Sequence, residues 1–90
     1  MLYMVIERWP PGAAPAIYRR FRERGRMAPE GLEDVASWVD HDVRTCWQLM
    51  RAEDPALFRA WTDDWKDLGQ FEIVPVRTSA EAAEIMRRGG

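Results

Sequence analysis

The chain has 90 residues, 47% of them hydrophobic and 31% charged, and its formal net charge of −2 disfavours a nucleic-acid-binding surface, which is usually basic. Its length predicts one domain over residues 1–90, and its single cysteine excludes an internal disulfide. Because it lacks a signal-peptide pattern and any apolar run near the roughly 20 residues that span a bilayer, we expect a soluble cytoplasmic protein that does not contact membranes.

The first half of the chain predicts a strand, a helix and a hairpin. Residues 2–8 form a short apolar run typical of a strand, and the prolines that follow end it. Residues 13–24 have apolar side chains at helical spacing, and Gly25 is a typical residue at a helix end. Residues 32–40 and 45–51 are predicted to form two strands that pair as a hairpin about a four-residue loop.

The second half predicts a helix, a strand and a further helix. Asp54 and Pro55 begin a helix that we expect to run to about Leu68, with Gly69 ending it. Residues 71–76 form the fourth strand. Thr78 and Glu81 have the spacing of a capping box, which predicts a last helix over residues 79–88.

The predicted order is β-α-β-β-α-β with a C-terminal helix, which is an α+β, ferredoxin-like fold with a four-stranded antiparallel sheet. Pairing the hairpin sets Trp38 opposite Trp47 and Ser37 opposite Gln48. We predict that the tryptophan pair faces the helices and that Ser37 and Gln48 lie on the other face. Since the strands are apolar on both sides, we expect a second subunit to cover that other face in a homodimer.

Blocks distributed over nearly the whole chain carry a family resemblance. They are LYMVIERW, YRRFRERGRMAPEGL, SWVD, CWQLM, DPALFRAW and FEIVPVRTSAEA. The chain resembles a group of small, mostly bacterial proteins known as a domain of unknown function, which is similar to the dimeric α/β-barrel superfamily. The resemblance implies a homodimer in which two ferredoxin-like sheets face each other. Superfamily members include cofactor-independent monooxygenases, isomerases and haem-handling enzymes, and others have no known activity.

The candidate ligand-pocket residues are polar or reactive side chains predicted on the strands. Glu7 would act as a base if it were buried, because desolvation raises the pKa of a carboxyl, but an ion pair with an arginine at the rim is the simpler interpretation. Ser37 and Gln48 would lie between the facing sheets, where polar groups require partners. A hydrogen bond between these two side chains at the dimer interface is the simpler interpretation, and a bound ligand is the alternative. A free cysteine such as Cys46 more usually packs as a small hydrophobic side chain than acts as a catalytic thiolate. The full set is Tyr3, Glu7, Ser37, Cys46 and Gln48, and no catalytic motif matches, so we assign no catalytic residue.

Three other features favour structural interpretations. His41 lies between Asp40 and Asp42, but no second histidine completes a common ligand set, so a solvated turn is the simpler interpretation and we expect neither a metal nor a cofactor. The tryptophans fit core packing better than a stacking platform, although Trp9 lies outside the helical and strand patterns and is a candidate for an interface. The arginines of residues 19–26 fit a solvated helix end.

Three functions remain open. The preferred one is a small-molecule pocket between the facing sheets, with or without catalysis. The alternative is a non-enzymatic dimerisation or structural module whose sheet face is only an interface. The third function is RNA binding, because RNA-recognition domains have the same order of strands and helices. The third strand lacks their sequence motif and the net charge of the chain is negative, so we expect no nucleic-acid partner.

Overall fold

The computed structural model of the protein describes residues 1–89. Within these residues the elements follow the predicted order, and each lies close to its predicted position. They are β1 (Leu2–Arg8), α1 (Ala14–Arg24), β2 (Leu32–Val39), β3 (Thr45–Ala52), α2 (Ala56–Asp63), β4 (Gln70–Val76) and α3 (Ser79–Arg87). None of the helices in this part of the chain combines the length and the apolar composition that crossing a bilayer requires.

The strands form one antiparallel sheet in the order β2-β3-β1-β4, so β1 lies in the interior between β3 and β4. This order and the two helical crossovers make an α+β, ferredoxin-like fold, as predicted. The hairpin has the predicted register, with Ser37 opposite Gln48 and Trp38 opposite Trp47. A bulge between Asp34 and Ala36 shifts the register nearer the start of β2.

Local signals explain where α1 begins and ends and where α3 begins. Proline occupies the first turn of α1, and Gly25 ends it with a φ of 68° while its N–H donates to the carbonyl of Phe21 at 2.7 Å. The capping box of α3 is complete: the hydroxyl of Thr78 accepts from the N–H of Glu81, and the carboxylate of Glu81 accepts from the N–H of Thr78.

Helix α2 ends at Asp63, earlier than the predicted end at Leu68. Beyond it, i→i+3 hydrogen bonds replace the α-helical ones: the N–H of Trp65 donates to Thr62 at 3.0 Å and that of Leu68 to Trp65 at 2.9 Å. Acidic side chains at Asp63 and Asp64 oppose the helix dipole, which is consistent with the early end. The tighter turns still bury Trp65.

The helices cover the sheet face opposite to the one we predicted. The covered face carries buried Tyr3, Val5 and Glu7 of β1, and the ring of Tyr3 packs edge-on against Phe58 of α2 at 4.9 Å. Trp38, predicted in the core, lies on the open face with 54% of its surface exposed. The prediction failed because strand alternation shows which residues share a face but not which face the helices cover.

The open face is apolar at its centre and has no covering element within the described chain. Its half-buried apolar residues are Leu2, Met4, Ile6, Ala36, Trp47, Leu49, Val74 and Val76, with exposed Trp38 beside them. At one end of this face, Leu2, Arg51 and Val76 form a groove with Arg77, which precedes α3, and with Glu81 in its first turn. Helix α3 has no buried residue, and Met86 is largely exposed.

Candidate functional site

A cavity of about 200 Å³ lies between the covered face of the sheet, helix α1 and the turn after α2. Its apolar wall consists of Trp9, Ile17, Tyr18, Phe21, Val39, Trp61 and Trp65. Its polar lining consists of Glu7, Arg26, Ser37, Cys46 and Gln48. A mostly apolar pocket with a few convergent polar groups is the usual form of a small-molecule site.

Glu7 is the buried carboxyl group of the cavity. Only 6% of its surface is exposed, and its Oε2 atom is buried without a hydrogen-bond partner. Burial raises the pKa of Glu7 above its ordinary value, because the charged form loses hydration; the neighbouring Trp9 indole and the positive charge of Arg26 oppose the rise. The carboxyl is therefore harder to ionise than an exposed glutamate.

Trp9 contributes a second unpaired polar atom. Its indole Nε1 is buried and has no acceptor in hydrogen-bond geometry. Trp9 and Glu7 meet at Gly69, where a Cβ atom would lie 3.0 Å from Oε2 of Glu7 and 3.1 Å from Cδ1 of Trp9. The buried indole N–H of Trp9 and the buried carboxyl of Glu7 therefore lie close together beside Gly69, and the Trp9 side chain acts as a neighbouring donor that opposes the rise in the pKa of Glu7.

Arg26 holds the positive charge of the cavity in a network of contacts. Its Nη1 donates to the side-chain oxygen of Gln48, and its Nη2 lies 3.4 Å from Oδ2 of Asp34. The guanidinium also lies over the ring of Phe21, 5.4 Å from the centroid. Since Asp34 balances its charge, Arg26 is not a free cation awaiting an anionic ligand.

Two tryptophans fix the loop that brings Arg26 to the sheet. The indole N–H groups of Trp61 and Trp65 both donate to the main-chain carbonyl of Arg26, at 2.9 and 3.0 Å. The loop backbone is unusual on either side of this carbonyl, since Gly25 and Met27 both have positive φ. Packing from α2 and the turn after it thus sets the direction in which the Arg26 side chain leaves the loop.

Cys46 and Tyr18 complete the titratable groups of the cavity. Burial raises the pKa of the Cys46 thiol to about 11, and the negative charge of Glu7 adds to the rise. The thiol is therefore protonated at neutral pH and is a poor nucleophile. Burial likewise raises the pKa of Tyr18, whose ring meets Trp9 edge-on at 5.9 Å.

The structure brings together four of the five predicted pocket residues. Glu7, Ser37, Cys46 and Gln48 line one cavity, but they do so beneath the helices and not on the face where facing sheets would meet. Tyr3 lies outside the lining and packs against Phe58. The role of these residues in binding stays a prediction.

The structure also shows where the residues lie for which we predicted structural roles: His41, Trp9 and the arginines of residues 19–26. His41 is exposed in the hairpin turn, and within residues 1–89 no group of three or more potential ligands could hold a metal ion. Trp9 is buried within the subunit, which contradicts its assignment to an interface. Arg26 lines the cavity, and Arg20 pairs with Asp67 at 2.8 Å, so neither fits the solvated helix end that we predicted.

Sequence reasoning missed Trp9 and Arg26 because loops bring both to the site. Neither follows a helical or strand period, so no local pattern assigns them to a face. The sequence contained only an indirect indication of Arg26. If helices bury the sheet face that carries Glu7 and Gln48, these two side chains require a charged or hydrogen-bonding partner. Arg26 was the candidate for that partner, since Gly25 separates it from the helix end.

These features define a small α+β protein with a ferredoxin-like fold and a polar-ended cavity beneath its helices. The chain belongs to the family described as Domain of unknown function (DUF3303), whose model matches residues 1–90. Comparisons with curated proteins and with solved structures give no significant match.

Proposed function

We propose that the protein is a homodimer in which each subunit binds a small molecule in the cavity between its sheet and its helices. The observation that carries the binding proposal is the lining of the cavity, in which a largely apolar wall surrounds a few polar side chains, among them buried Glu7 and Gln48. Such polar groups would orient a ligand that the apolar wall holds.

A screen of small soluble fragments tests the binding proposal. Binding to the native state alone raises the melting temperature, and occupancy of this cavity would also perturb the amide resonances of Glu7, Cys46 and Gln48. Ser37→Leu would extend a side chain into the lining and should abolish the effect. Ala36→Leu is the matched control, because Ala36 is the next residue on β2 but lies on the open face.

The screen also separates the two candidate functions. Fragments that bind wild type and Ala36→Leu but not Ser37→Leu would support a ligand-binding protein. An absence of any cavity binder across the screen would favour the alternative, a non-enzymatic dimerisation module. The large open apolar face is the observation that favours this alternative, because such a module requires an interface and no pocket.

The homodimer proposal rests on the composition of the open face. Its centre is apolar, and its charges lie at two diagonally opposite corners. Each corner is already neutralised within the subunit: Arg8 lies 3.0 Å from Glu72, and Arg51 lies 3.3 Å from Glu33. A second copy could therefore bury the apolar centre without burying an unpaired charge, which suits a two-fold interface.

Light scattering after size-exclusion chromatography tests the assembly. We expect a mass about twice the 10.5 kDa of the chain. Leu49→Arg places a charge at the centre of the open face and should give a folded monomer. Ala60→Arg, at an exposed position of α2, is the matched control and should remain dimeric. A wild-type monomer at micromolar concentration would contradict the proposed assembly.

A further inference from the structure

Gln48 has a buried side-chain amide whose orientation is fixed by Arg26. Only 3% of the residue is exposed, and its side chain lines the cavity. A guanidinium group can only donate hydrogen bonds, so the atom of Gln48 that meets Nη1 of Arg26 must be the oxygen Oε1. The amide nitrogen Nε2 therefore faces away from Arg26, and its two N–H groups are donors.

The amide nitrogen of Gln48 lies within reach of a ligand in the cavity. Within residues 1–89 the side chain makes one hydrogen bond, through Oε1, so Nε2 has no acceptor. The fully enclosed polar atoms that lack a partner belong to Glu7, Trp9 and Asp34, and Nε2 of Gln48 is not one of them. Because it is unpaired but not fully enclosed, on a side chain that lines the cavity, it is a donor that a bound group can reach.

Ser37 places a second donor beside this amide. It lies directly opposite Gln48 in the pairing of β2 with β3, and it lines the same cavity. The Cβ atoms of such a cross-strand pair are about 4.5–5.5 Å apart. In the part of the chain that the structure describes, the hydroxyl of Ser37 makes no hydrogen bond to Gln48, whose oxygen accepts from Arg26 instead. A single ligand atom with two lone pairs could accept from both side chains.

The charges near these donors favour an uncharged acceptor. Glu7 and Asp34 contribute two carboxyl groups, and the one positive charge, on Arg26, lies 3.4 Å from Asp34. An anionic ligand would add a negative charge without a free cation to balance it. A cationic amidine would bring donors to donors, and a hydroxyl group would bring a proton that needs its own acceptor. A carbonyl oxygen has none of these disadvantages.

The remaining walls restrict the size and shape of the ligand. The cavity volume is about 200 Å³. A dry cavity of about 150 Å³ accommodates benzene in another protein, so this volume suits one ring with a small substituent. Phe21, Trp61 and Trp65 present aromatic surface to such a ring.

We propose that the ligand is an uncharged carbonyl compound the size of one ring, and that its oxygen accepts hydrogen bonds from Nε2 of Gln48 and Oγ of Ser37. This inference rests on the proposed function, because it names the ligand class of the same cavity. It adds a polarity, a size and two specific hydrogen bonds, each of which can be tested separately from binding itself.

Five compounds that share a phenyl ring and differ in the attached group provide the test: acetophenone, 1-phenylethanol, ethylbenzene, benzoate and benzamidine. Titrations followed by ¹H–¹⁵N spectra report both the affinity and the side-chain amide resonances of Gln48. We expect acetophenone to bind most tightly, about tenfold or more tightly than ethylbenzene, since only its oxygen accepts from the two donors. We also expect acetophenone, and not ethylbenzene, to move an amide proton of Gln48 downfield.

Gln48→Glu replaces the donor nitrogen by a second acceptor while keeping an oxygen for Arg26. It should weaken acetophenone binding about tenfold or more and leave ethylbenzene binding nearly unchanged. Ser37→Ala removes the other donor and should weaken acetophenone binding about fivefold. Gln70→Glu is the matched control, because it makes the same change at an exposed position of β4 outside the cavity lining. It should affect neither compound, and native-like spectra would show that each variant folds.

Distinct outcomes separate this inference from the proposed function. Equal or tighter binding of any of the other four compounds would overturn the carbonyl assignment and leave a ligand-binding cavity in place. An unchanged acetophenone affinity in folded Gln48→Glu or Ser37→Ala would overturn it as well. If none of the five binds but other fragments occupy the cavity, the ligand class is wrong and the function stands. If no fragment binds at all, both are wrong.

Discussion

Glu7 and Cys46 are cross-strand neighbours on the sheet face that the helices cover. Both side chains are buried, and each is a group that ionises to a negative charge. Burial is the largest cause of the raised pKa at both positions, and the charge of Glu7 raises the pKa of the Cys46 thiol further. This pair therefore resists ionisation, which makes its titration a sensitive probe of the cavity.

We expect the thiol of Cys46 to react slowly with thiolate-selective reagents. Its pKa of about 11, against an ordinary value of 9.0, lowers the thiolate population at pH 8 by about 100-fold. The rate with Ellman's reagent at pH 8 should thus be at least about 100-fold lower in the folded protein than in urea. Glu7→Gln should increase the folded-state rate, because it removes a neighbouring negative charge. A folded-state rate within tenfold of the unfolded rate would contradict the buried, protonated thiol.

The raised pKa of Glu7 predicts a specific dependence of stability on pH. Below its ordinary pKa of 4.5 the carboxyl is neutral in both states, and its burial costs little. As the pH rises above 4.5, the unfolded chain loses this proton more readily than the folded one, so stability falls until the pH passes the folded-state pKa.

Urea unfolding across this pH range, with Glu7→Gln as the reference, measures the effect. The difference in unfolding free energy between wild type and the variant should become less favourable to wild type as the pH rises from 4.5. Asp40, Asp67 and Glu81 have lowered pKa values, but they are present in both proteins and cancel in the difference. A constant difference would mean that Glu7 titrates alike in both states.

The sequence predicts most of the fold because its element boundaries are marked by local chemistry. Gly25, Pro55 and the Thr78–Glu81 capping box each act on the backbone within a few residues, so the printed sequence is enough to find them. The end of α2 is less clearly marked. Gly69 predicted a helix to about Leu68, whereas the helix ends at Asp63 and residues 64–68 form turns.

The candidate site was only partly predictable. Strand alternation correctly places Cys46 and Gln48 on one face of β3, because pleating alone decides that grouping. Adding Glu7 to this face requires the register between β1 and β3, which the structure supplies. When both faces of the sheet are apolar, strand alternation does not reveal which face the helices cover. The Trp38–Trp47 pair suggested that they cover the face that is in fact open. The position of Arg26 depends on tryptophan hydrogen bonds from residues 35 and 39 positions away, which no local pattern encodes.

Val43 in the hairpin turn offers a test of local strain. It has a φ of 55°, a conformation that is unfavourable for a β-branched residue, and the backbone N–H groups of Arg44 and Thr45 both donate to Asp40 beside it. Val43→Gly should therefore raise the unfolding free energy by about 1 kcal/mol. The neighbouring Asp42→Gly, at a position without positive φ, should be neutral or destabilising. Destabilisation by Val43→Gly would indicate that packing of the valine outweighs its strain.

Gly69 tests how closely Glu7 and Trp9 are packed at the end of the cavity. A Cβ atom at this position would lie 3.0 Å from Oε2 of Glu7, 3.2 Å from its Cγ and 3.1 Å from Cδ1 of Trp9, so one of the two side chains must move. We expect Gly69→Ala to lower the unfolding free energy by about 1–3 kcal/mol, measured by urea denaturation.

The double variant Gly69→Ala, Glu7→Ala separates this crowding from an effect on the backbone. Truncating Glu7 removes two of the three close neighbours, so the cost of the added methyl group should be smaller in that background than in wild type. Such a difference is a coupling energy between positions 7 and 69. Additive effects of the two substitutions would show that the glycine is required for the conformation of the chain before β4 and not for the placement of Glu7.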